Sequence, residues 1–146
     1  VICLPSGPYP NEGGDMDRYR FRVSRYNENL ENLEKIYKLM TRHNPDCKLL
    51  VTVSPVHLWA TFRTDRDVIS ASCNSKSTLR AAVDEFVGRH PGRVFYFPAF
   101  EMATIYQPLR GISWFAEGKK ENFHVNKKTV RFIMENFFRL YAQGAS

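Results

Sequence analysis

Apolar residues fall into two rhythms along this chain. Leu30, Leu33, Ile36, Tyr37 and Met40 recur three and four residues apart, which predicts a helix over 27–43 with one apolar stripe. Ser24 or Asn27 is placed to cap its first turn. Glu31 and Lys35 stand four apart with the acid first, the favourable order. Asn44-Pro45 ends the pattern, because the residue before a proline avoids the α region. The rhythm then changes. Leu49-Leu50-Val51-Thr52-Val53 is almost continuously apolar and rich in β-branched residues. It predicts a strand over 48–54 covered on both faces, as in a parallel sheet.

Residues 55–74 read as a long polar connection through Thr61, Arg63, Thr64, Asp65, Arg66 and Asp67. A loop of that length in a compact domain usually serves function or lacks fixed structure. Leu79, Ala82, Val83, Phe86 and Val87 predict a helix over 76–89, with Ser75 or Ser77 as cap and Gly88 and Pro91-Gly92 as stop. Residues 93–98 predict a second strand. Residues 126–142 predict a third helix, capped by Asn126, with Val130, Ile133, Met134, Phe137, Phe138 and Tyr141 on its buried face. Before all of these, Pro5, Gly7, Pro8, Pro10, Gly13 and Gly14 break up residues 1–25, which read as irregular. Alternating helices and strands predict one α/β domain over 1–146, three-layered α/β/α around a mostly parallel sheet. In such sheets ligands bind beyond the carboxyl ends of the strands. Here those ends are Ser54-Pro55-Val56-His57 and Phe100-Glu101.

Composition narrows the function. At 146 residues, 43% hydrophobic and 25% charged, the chain has the balance of an ordinary globular domain. No run approaches the ~18 apolar residues of a membrane span, and Val1 to Pro5 lacks the basic start and apolar core of a signal peptide. Without an initiator Met, the chain is read as a fragment of a longer one. Cys3, Cys47 and Cys73 are too few and scattered for a disulfide framework or a zinc site. No metal or nicotinamide cofactor is implied. The odd cysteine count points to a reducing, cytoplasmic setting, with Cys47 and Cys73 as small buried fillers. Net charge is +6 and the pI near 9.4. The basic residues are spread out, Arg18 to Arg25 and Lys119 to Arg131 being the densest groups, which argues against nucleic acid as the partner.

Candidate chemistry lies at the predicted strand ends. His57 and Glu101 could converge on a substrate there. Ser54, ahead of Pro55, is held extended and reads as a loop-positioning residue. Ser75-Lys76-Ser77 reads either as helix capping or as an anion site built from backbone N–H groups at a helix N-terminus. His43 and His90 fall at helix C-terminal ends, where the dipole favours them. Ser6 follows the apolar Val1 to Leu4 and reads as a turn serine.

Three ordered blocks, Thr52-Val53-Ser54-Pro55-Val56, Ser75-Lys76-Ser77-Thr78-Leu79-Arg80 and Tyr96-Phe97-Pro98-Ala99-Phe100-Glu101, resemble the C-terminal part of the GSCFA family, relatives of the SGNH (GDSL-like) esterases. The resemblance implies an SGNH- or flavodoxin-like sheet, truncated here, and a serine, histidine and acid mechanism acting on O-acyl esters of small molecules or glycans. In SGNH enzymes an Asp-x-x-His pair precedes the last helix. The matching residues are Glu121 and His124, with His124 as base and Glu121 its orienter, one methylene longer than Asp. The Gly-Ser-Cys-Phe-Ala segment is absent from the chain, and the nucleophile is not identified in it. The alternative is a non-catalytic oligomerising or binding module: a homodimer covering an open sheet edge, or a site for an anionic ligand.

Overall fold

A computed structural model describes residues 21–58, 60–113 and 125–142. In order it forms α1 (Tyr26–His43), β1 (Leu49–Val51), α2 (Val68–Arg89), β2 (Val94–Tyr96), the short α3 (Ala99–Glu101), a π-helical turn (Met102–Tyr106), α4 (Gln107–Leu109) and α5 (Lys127–Tyr141). β1 and β2 pair in parallel, Leu49 with Val94, Leu50 with Phe95 and Val51 with Tyr96. The chain is therefore α/β, with α2 as the crossover between parallel neighbours.

Side-chain alternation along β1 sorts the core into two clusters. Leu49 and Val51 pack on one centred on Leu30, Ala82, Phe86 and Val94. Leu50, pointing the other way, packs on the second, built from Phe97, Ala99, Ala103 and Ile133. Thus α1 and α2 cover one face of the strand pair, and α3, the π turn and α5 lie against the other.

Helix limits follow local chemistry. At the start of α1 the Glu28 carboxylate accepts the Arg25 backbone N–H at 2.8 Å and is paired with Arg22. Neither expected cap acts there: Arg25 holds the cap position, and the Ser24 hydroxyl donates to Asn29 Oδ1 at 3.0 Å. Asn126 caps α5 as expected, its Oδ1 accepting the Thr129 N–H at 2.7 Å. Beyond α2 the chain turns through Gly92, at φ 74°, where a side chain would be strained.

Several expectations are corrected. α2 begins at Val68, so the connection from β1 ends at Asp67, not residue 74. Asp67 is the cap, accepting the Ser70 N–H at 2.9 Å and the Ser70 hydroxyl at 2.6 Å. Ser75 and Ser77 therefore lie inside the helix, and their backbone N–H groups are not a helix N-terminus. The strands are also shorter than expected, with three residues of each paired in register. Glu101 lies one turn into α3 rather than at a strand end. The π turn ends just before Pro108, which offers no N–H and whose ring would crowd the preceding turn. On α5, Ile133 is buried, but Val130, Met134, Phe138 and Tyr141 are each more than 40% exposed. Cys73 is exposed rather than a buried filler. Among the described residues no helix is long and apolar enough to cross a membrane, and no group of three His, Cys, Asp or Glu side chains is placed to hold a metal.

Candidate functional site

Ser72, Lys76 and Arg80 stand four residues apart on α2 and so form one row, rising about 6 Å per step. The row faces the chain as it leaves both strands. At its first position Ser72, only 3% exposed, is 2.9 Å from His57 Nδ1, and its oxygen also accepts the Leu58 N–H at 3.2 Å. At its last position the Arg80 guanidinium donates to Glu101 at 2.8 Å and to Asp84 at 2.9 Å. The Tyr96 hydroxyl donates to the other Glu101 oxygen at 2.7 Å, and the Arg80 guanidinium lies 4.3 Å from the centre of the Tyr96 ring. α2 thus holds the segment after β1 through Ser72 and the segment after β2 through Arg80.

The electrostatics differ at the two ends. Burial lowers the His57 pKa, and the charge of Lys76 lowers it further, so the ring is kept neutral at neutral pH. A neutral imidazole beside a hydroxyl has two consistent states. If Ser72 donates to Nδ1, then Nε2 carries the proton; if Nδ1–H donates to Ser72, then Nε2 is a base. Ser72 itself is too enclosed to attack a substrate carbonyl, so it holds the ring. At the other end, burial and the hydrogen bond to Glu101 raise the Tyr96 phenol, which stays protonated as the donor. Between the ends, Lys76 is half-buried, with a pKa lowered by burial.

The structure brings together His57, Lys76 and Glu101 along this row. It does not bring in Ser54 or Ser75. Ser54 is exposed, and its hydroxyl accepts the Val56 N–H at 3.3 Å, closing a local turn. Ser75 instead lines a narrow cavity of about 20 Å³ with Phe21, Val23, Leu58 and Arg63, room for about one water. His124 and Glu121 lie outside the described residues, as does Ser6. The Asn126 amide donates to the Ser113 carbonyl. The other two histidines differ from each other. His43 is the last residue of α1, whereas His90 bonds to Glu34 at 2.9 Å and packs on Tyr37 and Phe86.

Ser72 is not singled out by the sequence, and Arg80 and Tyr96 stand there only within the family-like blocks, without a role at the site. The signal was the four-residue spacing of Ser72, Lys76 and Arg80, visible only once the helix is extended back to Val68. A wider hollow of about 530 Å³ lies elsewhere, between the π turn and α5, lined by Met102, Tyr106, Phe132, Glu135, Asn136 and Arg139. It is open to solvent and holds none of the strand-end groups.

No curated protein and no solved structure matches the chain. The GSCFA family model matches residues 1–137, which include both strands, α2 and its polar row, and most of α5. Covering most of the sequence, that match places the chain in the GSCFA family.

Proposed function

We propose that this chain acts on O-acyl esters, by hydrolysis or acyl transfer, in an SGNH-like three-layer domain. The observation that carries the reading is the convergence of His57, Lys76, Arg80, Tyr96 and Glu101 beyond the carboxyl ends of two parallel strands. That is where open α/β sheets bind ligands. In this reading His124 takes the proton from a serine hydroxyl as it attacks the acyl carbonyl, and Glu121 orients the imidazole. The serine is not assigned. His57 supplies a second, neutral imidazole at the rim, and the Arg80–Glu101–Tyr96 network fixes the floor on which the ester lies.

The test is hydrolysis of p-nitrophenyl acetate by the chain and by His124→Ala. Turnover that is lost in His124→Ala carries the reading. Turnover unchanged in His124→Ala removes His124 from the mechanism. No turnover in either overturns ester hydrolysis. It would favour the second reading, a non-catalytic assembly module. That reading is supported by the exposed apolar stripe of Val130, Met134, Phe138 and Tyr141 on α5.

A further inference from the structure

Among the described residues, every charged member of the strand-end cluster is matched except Lys76. Arg80 has Glu101 and Asp84, and Glu101 has Arg80 and the Tyr96 hydroxyl. Lys76, in the middle of the row, has no carboxylate within 4 Å and no hydrogen-bond acceptor among the described residues. It is nevertheless half-buried, and its charge acts on the His57 ring, which it helps to keep neutral. A lysine has a long stem and normally extends its ammonium into water. Holding it partly desolvated without a counter-charge opposes folding unless something anionic completes it. The helix fixes its place, with Ser72 and Arg80 anchored one turn to either side.

We infer that Lys76 is the anion-recognition group of this site, and that the ester processed there carries a carboxylate on its acyl or alcohol part. This rests on the ester reading above and adds the substrate class. One unpaired positive charge beside a neutral imidazole balances one negative charge, which fits a carboxylate better than a phosphate dianion. A compact ammonium also takes a single carboxylate oxygen without the paired geometry that an arginine imposes. Lys76 is a binding residue here. The acyl carbonyl lies toward His57, and the carboxylate of the substrate lies over the middle of the α2 row.

The experiment compares two p-nitrophenyl esters of equal chain length, the neutral pentanoate and the hydrogen glutarate, with the chain, Lys76→Met and Lys76→Arg. The expected result is a preference for the glutarate ester of roughly tenfold or more in kcat/KM, carried by KM, because the contact is a charge-assisted hydrogen bond. Lys76→Met abolishes the preference and Lys76→Arg keeps much of it. Equal use of both esters, or a preference that survives in Lys76→Met, overturns the inference. A binding measurement separates this from failure of the ester reading. Free glutarate should shield Lys76 from trinitrobenzenesulfonate, read by peptide mass spectrometry, even if neither ester is cleaved. If nothing is cleaved and glutarate does not shield Lys76, the inference fails. Stronger shielding by inorganic phosphate than by glutarate overturns the carboxylate assignment.

Discussion

The two faces of the strand pair are built to different standards. On the α1–α2 face, Phe86 and Ala82 are fully buried and Leu30 and Val94 nearly so. Tyr37 and His90 ring Phe86 at 6.0 and 5.1 Å, edge-on as aromatic pairs prefer. On the α5 face the helix buries Ile133 and half-buries Phe132 and Phe137, yet leaves a second apolar stripe bare. The first face is closed around Phe86, although α1 still exposes Ile36, Leu39 and Met40; the second leaves five large apolar residues of α5 exposed around a smaller buried centre. Stability is thus concentrated where α2 lies, and α2 is also the helix that carries the polar row. A rigid support under a site keeps its groups in place, whereas bare apolar surface is free to meet a partner.

The largest test of that contrast is Phe86→Ala against Phe138→Ser. Phe86 has no exposed surface, so truncation removes a full aromatic burial and leaves a cavity, a loss of about 3–5 kcal/mol. Against a typical total of about 5–15 kcal/mol, that brings the domain close to unfolding. Phe138 is 54% exposed, and its replacement by serine should cost far less, within about 1 kcal/mol. Chemical denaturation of the two variants checks the ordering. Comparable losses would show that the α5 face is as closed as the other.

How much of this was legible beforehand follows the same division. α1, the buried face of α2 and the parallel pairing were readable because each has a strong apolar period or a nearly unbroken β-branched run. The start of α2 was not. Val68-Ile69-Ser70-Ala71-Ser72-Cys73-Asn74 shows no clear stripe, since Ile69 is exposed and two of its inward positions are the small Ala71 and Ser72. The cap, Asp67, was hidden among neighbouring polar residues. The short helices over 99–109 were missed for a related reason: Pro98 and Pro108 punctuate the sequence there, and a π turn has no 3.6-residue period. At the site, His57 and Glu101 were visible as residue types near strand ends, and Lys76 as part of a supposed helix N-terminus. Their holders Ser72, Arg80 and Tyr96 were not, because their roles depend on contacts 5 to 21 residues away in sequence. The exposed α5 stripe could not be foreseen, since periodicity reports that a face is apolar and not what covers it.

A smaller effect sharpens the comparison from the α5 side. Thr129 is fully buried, and its hydroxyl has no hydrogen-bond partner among the described residues. Its backbone N–H, bonded to the Asn126 cap, is kept in any substitution. Replacing the hydroxyl by a methyl in Thr129→Val removes an uncompensated polar group from an apolar site, where such groups cost about 1–3 kcal/mol. Part of that gain is offset by the tighter fit of a methyl. The expected outcome is a stabilisation of about 1 kcal/mol, read as a higher denaturation midpoint with unchanged slope. A loss of stability would mean that the hydroxyl is satisfied after all, and that this face is better finished than its exposed stripe suggests.

The smallest effect is a pH dependence on the α2 side. The folded His57 pKa lies below its ordinary value, first through burial and then through Lys76. The folded protein therefore binds this proton less readily than the unfolded chain. Above an ordinary imidazole pKa of about 6.5 neither state is protonated, and His57 contributes no pH dependence. As pH falls through that value the unfolded chain takes up the proton first, so stability declines until the folded pKa is passed and then levels off. Carboxylates act in the opposite region. Asp67, lowered by its hydrogen bonds from Ser70, adds stability that is lost only as pH falls into the acid range. Between about pH 5 and 7 the difference between the chain and His57→Gln therefore isolates the imidazole. The variant should lose part of the slope in that window while keeping the same acid limb. Lys76→Met should flatten the slope less than His57→Gln, because removing the neighbouring charge leaves the larger cause, burial, in place. An identical slope in all three would mean that the His57 ring is not held neutral by α2, and that the polar row is less firmly set than the core beneath it.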